Sequence, residues 1–268
     1  MQLRSVILML KLHFLGTLSG AEPFENMHHC SWILETQGGN YWFDAGENCS
    51  HSAHTMGVDI MKTVAIFVSH PHIDHTGGLA NILFCIQKFI RRNNSSLVKN
   101  NTLEAFMPSE QPLYAAKLLA FGKTEPPFEF EIMEHPMKDG ILFEDSNVRV
   151  SACHNTHLKE DGSNGWHSYS FAIEAEGKKI VFSGDVGAPA ELDPIIDGCD
   201  MLIMETGHHS VESVCEYAIS RGIKQLRFNH HGRQIIENRR DCERIVANYC
   251  EKNDICIRIL SDKTTENL

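Results

Sequence analysis

The stretch "FVSHPHIDHTGG", residues 67–78, places three histidines and one aspartate within six consecutive positions. An apolar run, "TVAIFVSH" (residues 63–70), leads into this cluster and is typical of a buried strand. Imidazole and carboxylate groups are the usual ligands of zinc and similar transition metals where thiolates are absent. A single histidine at a strand end is commonly a hydrogen-bonded surface residue, but four such groups together indicate a metal site.

The spacing of these residues indicates how they would converge. His70 and His72 lie two positions apart, and in an extended segment that spacing directs both side chains to the same side. Asp74 and His75 fall in the turn before a helix, so they approach the same hollow from a second direction. Apolar residues at helical spacing then predict an amphipathic helix after Gly77, namely Leu79, Ile82, Leu83, Ile86, Phe89 and Ile90.

The rest of the chain alternates strand-like and helix-like segments. With 268 residues, 42% of them hydrophobic, it can bury a substantial core, and we expect one domain over residues 1–268. Two sheets packed face to face with helices outside would bury these runs, which predicts an α/β (α+β) fold. Further strands are predicted at "TLEAFM", "NVRVSAC", "YSFAIEA", "KKIVFSGD", "DMLIMET", "QLRFNH" and "ICIRIL".

Charge and cysteine content restrict the partners and the compartment. The formal net charge of −11 opposes attraction to a long polyanion. The nine cysteines include no C-x-x-C pair, which favours reduced thiols and a cytoplasmic protein. The N-terminal segment (residues 1–21) resembles a signal peptide, but Lys11 and His13 interrupt its apolar run, and we interpret it as the first strand. No later run approaches the roughly 18 apolar residues of a membrane helix.

Four more motifs occur in order along the chain and extend the pattern. They are "LHFLGTLSG" (residues 12–20), "FDAG" (43–46), "FSGDVG" (182–187) and "RFNHHGR" (227–233). Together with H-x-H-x-D-H, they make the sequence similar over nearly its whole length to the metallo-β-lactamase-fold hydrolases. The resemblance implies a four-layer αββα sandwich with a site for two divalent metal ions. Zinc is favoured, and manganese and iron also suit the ligands.

The resemblance also implies which residues bind the ions. One ion would be bound by two histidines of the opening motif and a mid-chain histidine, and the other by Asp74, His75 and a late histidine, with Asp185 bridging both. A zinc β-lactamase would have cysteine at the position of Asp185, which argues against that activity. The implied ligands are His70, His72, Asp74, His75, His157, Asp185 and His230.

Two of these ligands have a competing neighbour. "ACHNTHL" (residues 152–158) contains His154 and His157, and the position at the end of the family's motif favours His157. His230 and His231 are adjacent, and neighbouring side chains on a strand point to opposite sides, so both would not serve one ion. The family pattern favours His230.

The segment "MLIMETGHHSVESVCEYAISRGIKQLRFNHHGR" (residues 201–233) resembles the ribonuclease Z and related phosphodiesterase branch. The resemblance implies that His209, oriented by Glu205, protonates the leaving alkoxide or binds a phosphate oxygen. A leaving alkoxide needs a proton because its pKa is high. It also implies that Asp74 is both a ligand and a base for a hydroxide bridging the metals. The alternative without catalysis is that Ser210 caps a helix and that the neighbouring histidines are surface residues.

Substrate size follows from what the sequence lacks. It contains no long Gly- and Lys/Arg-rich arm of the kind that grips transfer RNA, and the chain is acidic. We therefore predict a small-molecule or nucleotide-derived phosphodiester as substrate and not long RNA, with no membrane partner. A homo-oligomer is compatible with the sequence. Trp166 and His167 follow the third ligand, where they could form a pocket wall or pack on the sandwich rim.

The sequence is also compatible with two other functions. The same fold hydrolyses carbon esters such as lactones and thioesters, but "HNTHLKEDG" (residues 154–162) lacks the "GHTPGH"-like segment that is usual in those enzymes. The other alternative is a non-catalytic metal-binding or partner-binding protein. It is disfavoured because every ligand position is filled.

Overall fold

The computed structural model describes residues 10–158 and 165–268, and these residues form two seven-stranded sheets. In spatial order, the first sheet consists of β14 (Thr264–Asn267), β1 (Lys11–Gly16), β2 (Ser31–Thr36), β3 (Gly39–Phe43), β4 (Thr63–Phe67), β5 (Thr102–Met107) and β6 (Glu131–Pro136). The second consists of β13 (Cys256–Ile259), β12 (Gln225–His231), β11 (Met201–Thr206), β10 (Lys178–Phe182), β9 (Tyr169–Ala175), β8 (Val148–His154) and β7 (Gly140–Glu144).

Each sheet has an antiparallel half and a parallel half. In the first sheet the strands from β14 to β3 pair antiparallel, and those from β3 to β6 pair parallel. The second sheet repeats this, antiparallel from β7 to β10 and parallel from β10 to β13. The parallel strands of the described chain are joined through helices, as parallel crossovers require. The helices are α1 (Cys49–Thr55), α2 (Ile73–Thr76), α3 (Leu79–Asn93), α4 (Gln111–Phe121), α5 (Asp193–Ile196), α6 (Val211–Ser220) and α7 (Arg233–Lys252).

An aromatic core joins the inner faces of the two sheets. Trp32 stacks on Phe43 with ring centroids 4.5 Å apart, and Phe171 of the opposite sheet meets Phe43 edge-on at 5.7 Å. The outer faces are covered separately, the first by α1, α3 and α4 and the second by α6 and α7. The arrangement is a four-layer αββα sandwich, as predicted, and burial on both faces explains why its central strands read as continuous apolar runs.

The helices begin and end where local chemistry dictates. The helix predicted after Gly77 is α3, whose apolar positions are buried and which ends at Asn94 in a left-handed conformation. Ser210 caps α6, because its Oγ accepts a hydrogen bond from the Ser213 backbone N–H at 3.2 Å. Among the described residues, none of the helices is both long and apolar enough to cross a membrane.

The first and last strands close one edge of the sandwich. β1 pairs with β14 in antiparallel register, with Lys11 opposite Asn267. Just before β14, Asp262 accepts hydrogen bonds from the backbone N–H groups of Thr17 and His28 at 2.9 and 2.6 Å. The loop that follows β1 is therefore fixed by a residue almost 250 positions later in the chain.

Candidate metal centre

The segments after β4, β8 and β10 and the bulged end of β12 bring the predicted ligands to one rim of the sandwich. In the first cluster, His70 Nε2 lies 3.0 Å from His72 Nδ1, and His157 Nε2 lies 3.5 Å from the same His72 atom. His70 is fully buried, whereas His72 is exposed. We call this set the three-histidine cluster.

A second cluster lies beside the first and contains a carboxylate. His75 Nε2 lies 3.1 Å from His230 Nε2 and 3.3 Å from Asp74 Oδ2, and His230 Nε2 lies 3.2 Å from the same oxygen. All three residues are buried. We call this set the Asp74 cluster.

Asp185 lies between the two clusters and turns one carboxylate oxygen toward each. Its Oδ2 is 3.8 Å from Nε2 of both His70 and His157, whereas its Oδ1 is 3.5 Å from His75 Nε2. The buried Oδ1 has no hydrogen-bond partner among the described residues. The preceding Gly184 has φ +55°, and a Cβ there would lie 2.9 Å from the Ser69 Cβ, so glycine permits this approach of the two loops.

These donor sets fit two divalent ions. Ligands about 2.1 Å from a tetrahedral metal lie about 3.4 Å from each other. The donor atoms of each cluster, with the Asp185 oxygen that faces it, lie at about that spacing, and the unpaired Asp185 Oδ1 is an acceptor in need of a partner. His70, His72 and His157 would bind one ion, Asp74, His75 and His230 the other, and Asp185 both.

His230 reaches its cluster because β12 is bulged. The pairing of β11 with β12 shifts register after Glu205, so that Asn229 lies opposite Glu205 and His231 opposite Thr206. The extra residue, His230, has φ +50°. The ring of His231 points elsewhere, with Nε2 2.9 Å from the carbonyl of Leu260, and burial lowers its pKa to about 3.

The mid-chain alternative is also placed away from the centre. His154 Nδ1 lies 2.7 Å from Asp139 Oδ2, and its ring stacks on Trp166 with centroids 4.1 Å apart. Trp166 itself packs against the core between the sheets. Neither residue faces the metal-ligand clusters.

Asp44 supports the centre from beneath and was not singled out as a functional residue by the sequence. Its Oδ2 accepts a hydrogen bond from His75 Nδ1 at 2.7 Å, and its Oδ1 accepts one from the Ser69 backbone N–H at 2.7 Å. Asp44 and His75 are both fully buried. The contact fixes the ring orientation of His75 and leaves its Nε2 for the cluster. The available signal was the "FDAG" motif at residues 43–46.

The two clusters differ in charge. Burial and the neighbouring histidines hold the pKa of His70 well below its usual value, and burial lowers that of His157. Burial would also lower the pKa of His230, but Asp185, Asp74 and Glu205 outweigh it and raise this pKa to about 9. Burial would raise the pKa of Asp74, yet hydrogen bonds from His230 and His75 hold it far below its usual value. His70 and His157 are therefore neutral near pH 7 and Asp74 is ionised.

Glu205 lies behind the Asp74 cluster and orders the two histidines that follow β11. His208 Nδ1 lies 2.9 Å from Glu205 Oε2 and 3.8 Å from Asp185 Oδ2. The His208 side chain is 44% exposed at the mouth of the centre, and the hydrogen bond to Glu205 raises its pKa. His209 is 13% exposed and turns its Nε2 toward the carbonyl of Val186 at 3.0 Å. The structure thus places His208, and not the predicted His209, beside the ligands.

A cavity of about 840 Å³ adjoins the three-histidine cluster. Pro71 and Leu158, which line it, are chain neighbours of the three ligands of that cluster. Its other described lining residues include two carboxylates and no lysine or arginine; they are Met107, Pro108, Ser109, Glu110, Gln111, Leu113, Glu134, His135, Pro136 and His167. His167 therefore lies in a pocket wall.

Sequence comparison identifies the family of this chain. Residues 10–216 match the family described as Anti-Pycsar protein Apyc1. The chain belongs to the Apyc1 family. Among curated relatives of this Apyc1-family chain, ribonuclease Z of Nitrosopumilus maritimus is 26% identical, with 88% of this chain and 95% of the relative aligned.

Solved structures share the fold of this Apyc1-family chain. The metallo-β-lactamase fold protein YhfI from Bacillus subtilis superposes with a TM-score of 0.72 at 16% identity, over 97% of this chain and all of that one. The short form of human tRNase Z superposes with a TM-score of 0.69 at 17% identity, over 96% of this chain and 98% of that one. The chain is a metal-dependent hydrolase of the metallo-β-lactamase superfamily, in its ribonuclease Z-like branch.

Proposed function

We propose that the protein is a dinuclear metal-dependent phosphodiesterase, with zinc as the favoured metal. The observation that carries the proposal is Asp185, which turns one carboxylate oxygen to the three-histidine cluster and the other to the Asp74 cluster. Two divalent ions held there would lower the pKa of a water molecule and neutralise charge on the phosphoryl group undergoing attack.

The chain's own residues would supply the proton transfers. Asp74 is ionised and buried among the ligands, so its carboxylate can accept a hydrogen bond from the attacking water and orient it, and in the proposed mechanism it takes the proton of that water. The leaving alkoxide, in turn, needs a proton. His208 is placed to donate it, because Glu205 favours its protonated form and its ring is exposed at the mouth.

The role predicted for His209 is retained as the competing assignment. His209 Nε2 lies 3.6 Å from Glu205 Oε1, close enough for a small rotation to exchange the Val186 carbonyl for the carboxylate. His208 is favoured because its ring already faces His157, with centroids 4.8 Å apart. Replacement of each histidine by alanine distinguishes the two assignments.

The substrate we propose is a small or nucleotide-derived phosphodiester. Ribonuclease Z relatives support phosphodiester chemistry. The cavity beside the three-histidine cluster has Glu110 and Glu134 in its wall and no described lysine or arginine, so it suits a neutral substituent better than a second phosphate. The nine free cysteines agree with a reducing, cytoplasmic setting for the reaction.

The test is metal analysis together with a substrate panel. We expect about two zinc ions per chain after loading, and turnover of an aryl phosphodiester that is lost on chelation. His208→Ala should lower kcat on a phosphodiester with a poor alkoxide leaving group by about 10²–10⁴-fold, and much less on an activated aryl ester, whose leaving group needs no proton. Exposed Glu251→Gln, far along α7, is the control.

Other outcomes point elsewhere. Loss of activity with His209→Ala and not with His208→Ala would restore the sequence-based assignment. Preferential turnover of lactone or thioester substrates would favour the carbon-ester hydrolase. A fully loaded protein that turns over none of the panel would contradict the phosphodiesterase proposal and favour a binding role.

A further inference from the structure

Outside the ligand set, one carboxylate connects two of the loops that form the centre. Glu191 Oε2 accepts hydrogen bonds from the backbone N–H groups of Thr156 and Gly187, each at 3.1 Å. Its Oε1 accepts a short hydrogen bond from the Thr156 hydroxyl. Three donors from two separate loops therefore converge on a single side chain, which lies in a short 3₁₀ turn over residues 189–192.

Each of these loops carries a predicted ligand. Thr156 directly precedes His157, and Gly187 follows Asp185 by two residues. His157 lies beyond the end of β8, so the ladder of the sheet does not hold it. On its other side the loop is anchored through Ser168, whose carbonyl accepts from the Asn155 N–H at 2.9 Å and whose hydroxyl accepts from the Leu158 N–H at 3.0 Å.

The approach of the two loops leaves no room for a side chain at Gly187. A Cβ there would lie 2.3 Å from the Thr156 hydroxyl oxygen and 3.0 Å from Glu191 Oε1. Any other residue at this position would have to displace the Thr156 hydroxyl from Glu191 or push the two loops apart. Next to the centre, the Glu191 carboxylate therefore accepts hydrogen bonds from both loops, and Gly187 leaves the space that this contact needs.

We infer that Glu191 is a positioning residue for the ion held by the three-histidine cluster. The inference rests on the proposed dinuclear function. Glu191 ties the His157 loop to the Asp185 loop, and so fixes the separation of His157 Nε2 and Asp185 Oδ2, which is 3.8 Å. The Asp74 cluster shares Asp185 but takes its other ligands from segments that Glu191 does not touch, so the ion of the three-histidine cluster depends on Glu191 more strongly.

The test is zinc affinity measured by chelator competition on metal-free protein. Glu191→Gln replaces one acceptor oxygen by an amide that donates, and Thr156→Val removes the hydroxyl while keeping the shape of the side chain. We expect each to weaken the zinc site of the three-histidine cluster roughly tenfold and the other site, which shares only Asp185, clearly less. Thr156→Ser, which keeps the hydroxyl, should bind both ions as the wild type does, and so should Glu251→Gln.

A second measurement separates positioning from general stability. The rate of aryl phosphodiester hydrolysis by Glu191→Gln should recover with excess zinc at unchanged KM, whereas His157→Ala should not recover. If Glu191→Gln and Thr156→Val bind both ions with wild-type affinity, the inference is wrong, even if their metal-free forms unfold at lower temperature. Should Glu191→Gln fail to fold, Thr156→Val decides alone. A wild type that binds fewer than two ions would overturn the dinuclear proposal and this inference together.

Discussion

Two residues of the metal centre, Asp44 and His230, have left-handed backbone conformations although neither is glycine. Their φ angles are 58° and 50°. Such conformations cost of order 1 kcal/mol and persist where the surrounding structure enforces them. Here the buried hydrogen bond from His75 holds Asp44, and the bulge in β12 holds His230. In both cases the unusual backbone directs a side chain at the Asp74 cluster.

Asp44→Asn should change the zinc affinity of one cluster more than that of the other. An amide in place of the carboxylate weakens the contact that fixes the His75 ring, so we expect zinc affinity at the Asp74 cluster to fall about 10–100-fold. The three-histidine cluster should be unaffected. Stepwise zinc titration of the metal-free protein measures both constants. Asp139→Asn, whose partner His154 lies outside the clusters, is the control. Equal weakening of both sites would contradict the assignment.

Sequence patterns predict residue types at this centre better than they predict side-chain directions. H-x-H-x-D-H and the S-G-D segment led to side chains that the fold brings together. The sequence does not show which ring of the neighbouring pair His208 and His209 faces the ligands, because the direction of each ring depends on the turn after β11 and on the Val186 carbonyl. Asp44 lies within the "FDAG" motif, but no local pattern indicates its hydrogen bond to His75, which lies 31 positions later.

At the level of elements, prediction succeeded where a strand is buried on both faces. β4, β9 and β11 have almost wholly buried sequences, β10 is buried in its last three residues, and their apolar runs predicted all four strands. The segment "EGKK" (residues 176–179), whose glycine and short length are typical of a hairpin, joins antiparallel β9 and β10 with Glu176 and Gly177 both at positive φ. Three strands at sheet edges, β6, β7 and β14, were not predicted. Their residues are largely exposed and carry no regular apolar period.

The turn between β7 and β8 should make stability depend on pH. Asp145 Oδ1 accepts from the Asn147 N–H at 2.7 Å, and its Oδ2 accepts from the Tyr41 hydroxyl of the other sheet at 2.7 Å. Partial burial would raise the pKa of Asp145, but these hydrogen bonds lower it. Because the pKa of Asp145 is lower in the folded protein, the ionised carboxylate stabilises the fold fully above the unfolded-state pKa of about 4. This stabilisation is lost as the pH falls through the lower, folded-state pKa.

Asp145→Asn tests this dependence. We expect the free energy of unfolding to fall at pH 7, and the difference from wild type to narrow as pH drops below about 4. Urea denaturation across pH 3–7 measures the difference, and exposed Asp197→Asn is the matched control. A difference that stays constant with pH would show that the ionised carboxylate is not responsible.

At the level of the whole molecule, the centre joins the two halves of the sandwich. His70, Asp74 and His75 follow β4 of the first sheet, whereas His157, Asp185 and His230 come from the second. Either ion would therefore draw ligands from both sheets. The sandwich itself was predicted through the resemblance. Of the cavity beside the centre, the sequence indicated only a possible wall position at His167, because the rest of the wall comes from α4, β6 and loops that are distant in sequence.

Zinc should consequently stabilise the entire fold. At a free zinc concentration of about 100 times Kd, binding to the native state alone adds about 2.7 kcal/mol to the free energy of unfolding for each site. We expect the thermal midpoint to rise on loading and to return on chelation, measured by circular dichroism. His70→Ala, which removes one ligand of the three-histidine cluster, should show a smaller rise. An unchanged midpoint in fully loaded protein would contradict a centre that links the sheets.

The pairing of β1 with β14 has a consequence for synthesis. β14 is synthesised long after β1, because Asp262, just before β14, lies 245 positions after Thr17, so this sheet edge stays unpaired while the residues between them are made. The loop after β1 brings Gly20 against Asp74, where a Cβ would lie 3.0 Å from Oδ2, and Asp262 can hold that loop only once it has itself been synthesised. A nascent chain would therefore contain all seven proposed ligands before this loop is fixed, which would delay metal capture until Asp262 has emerged.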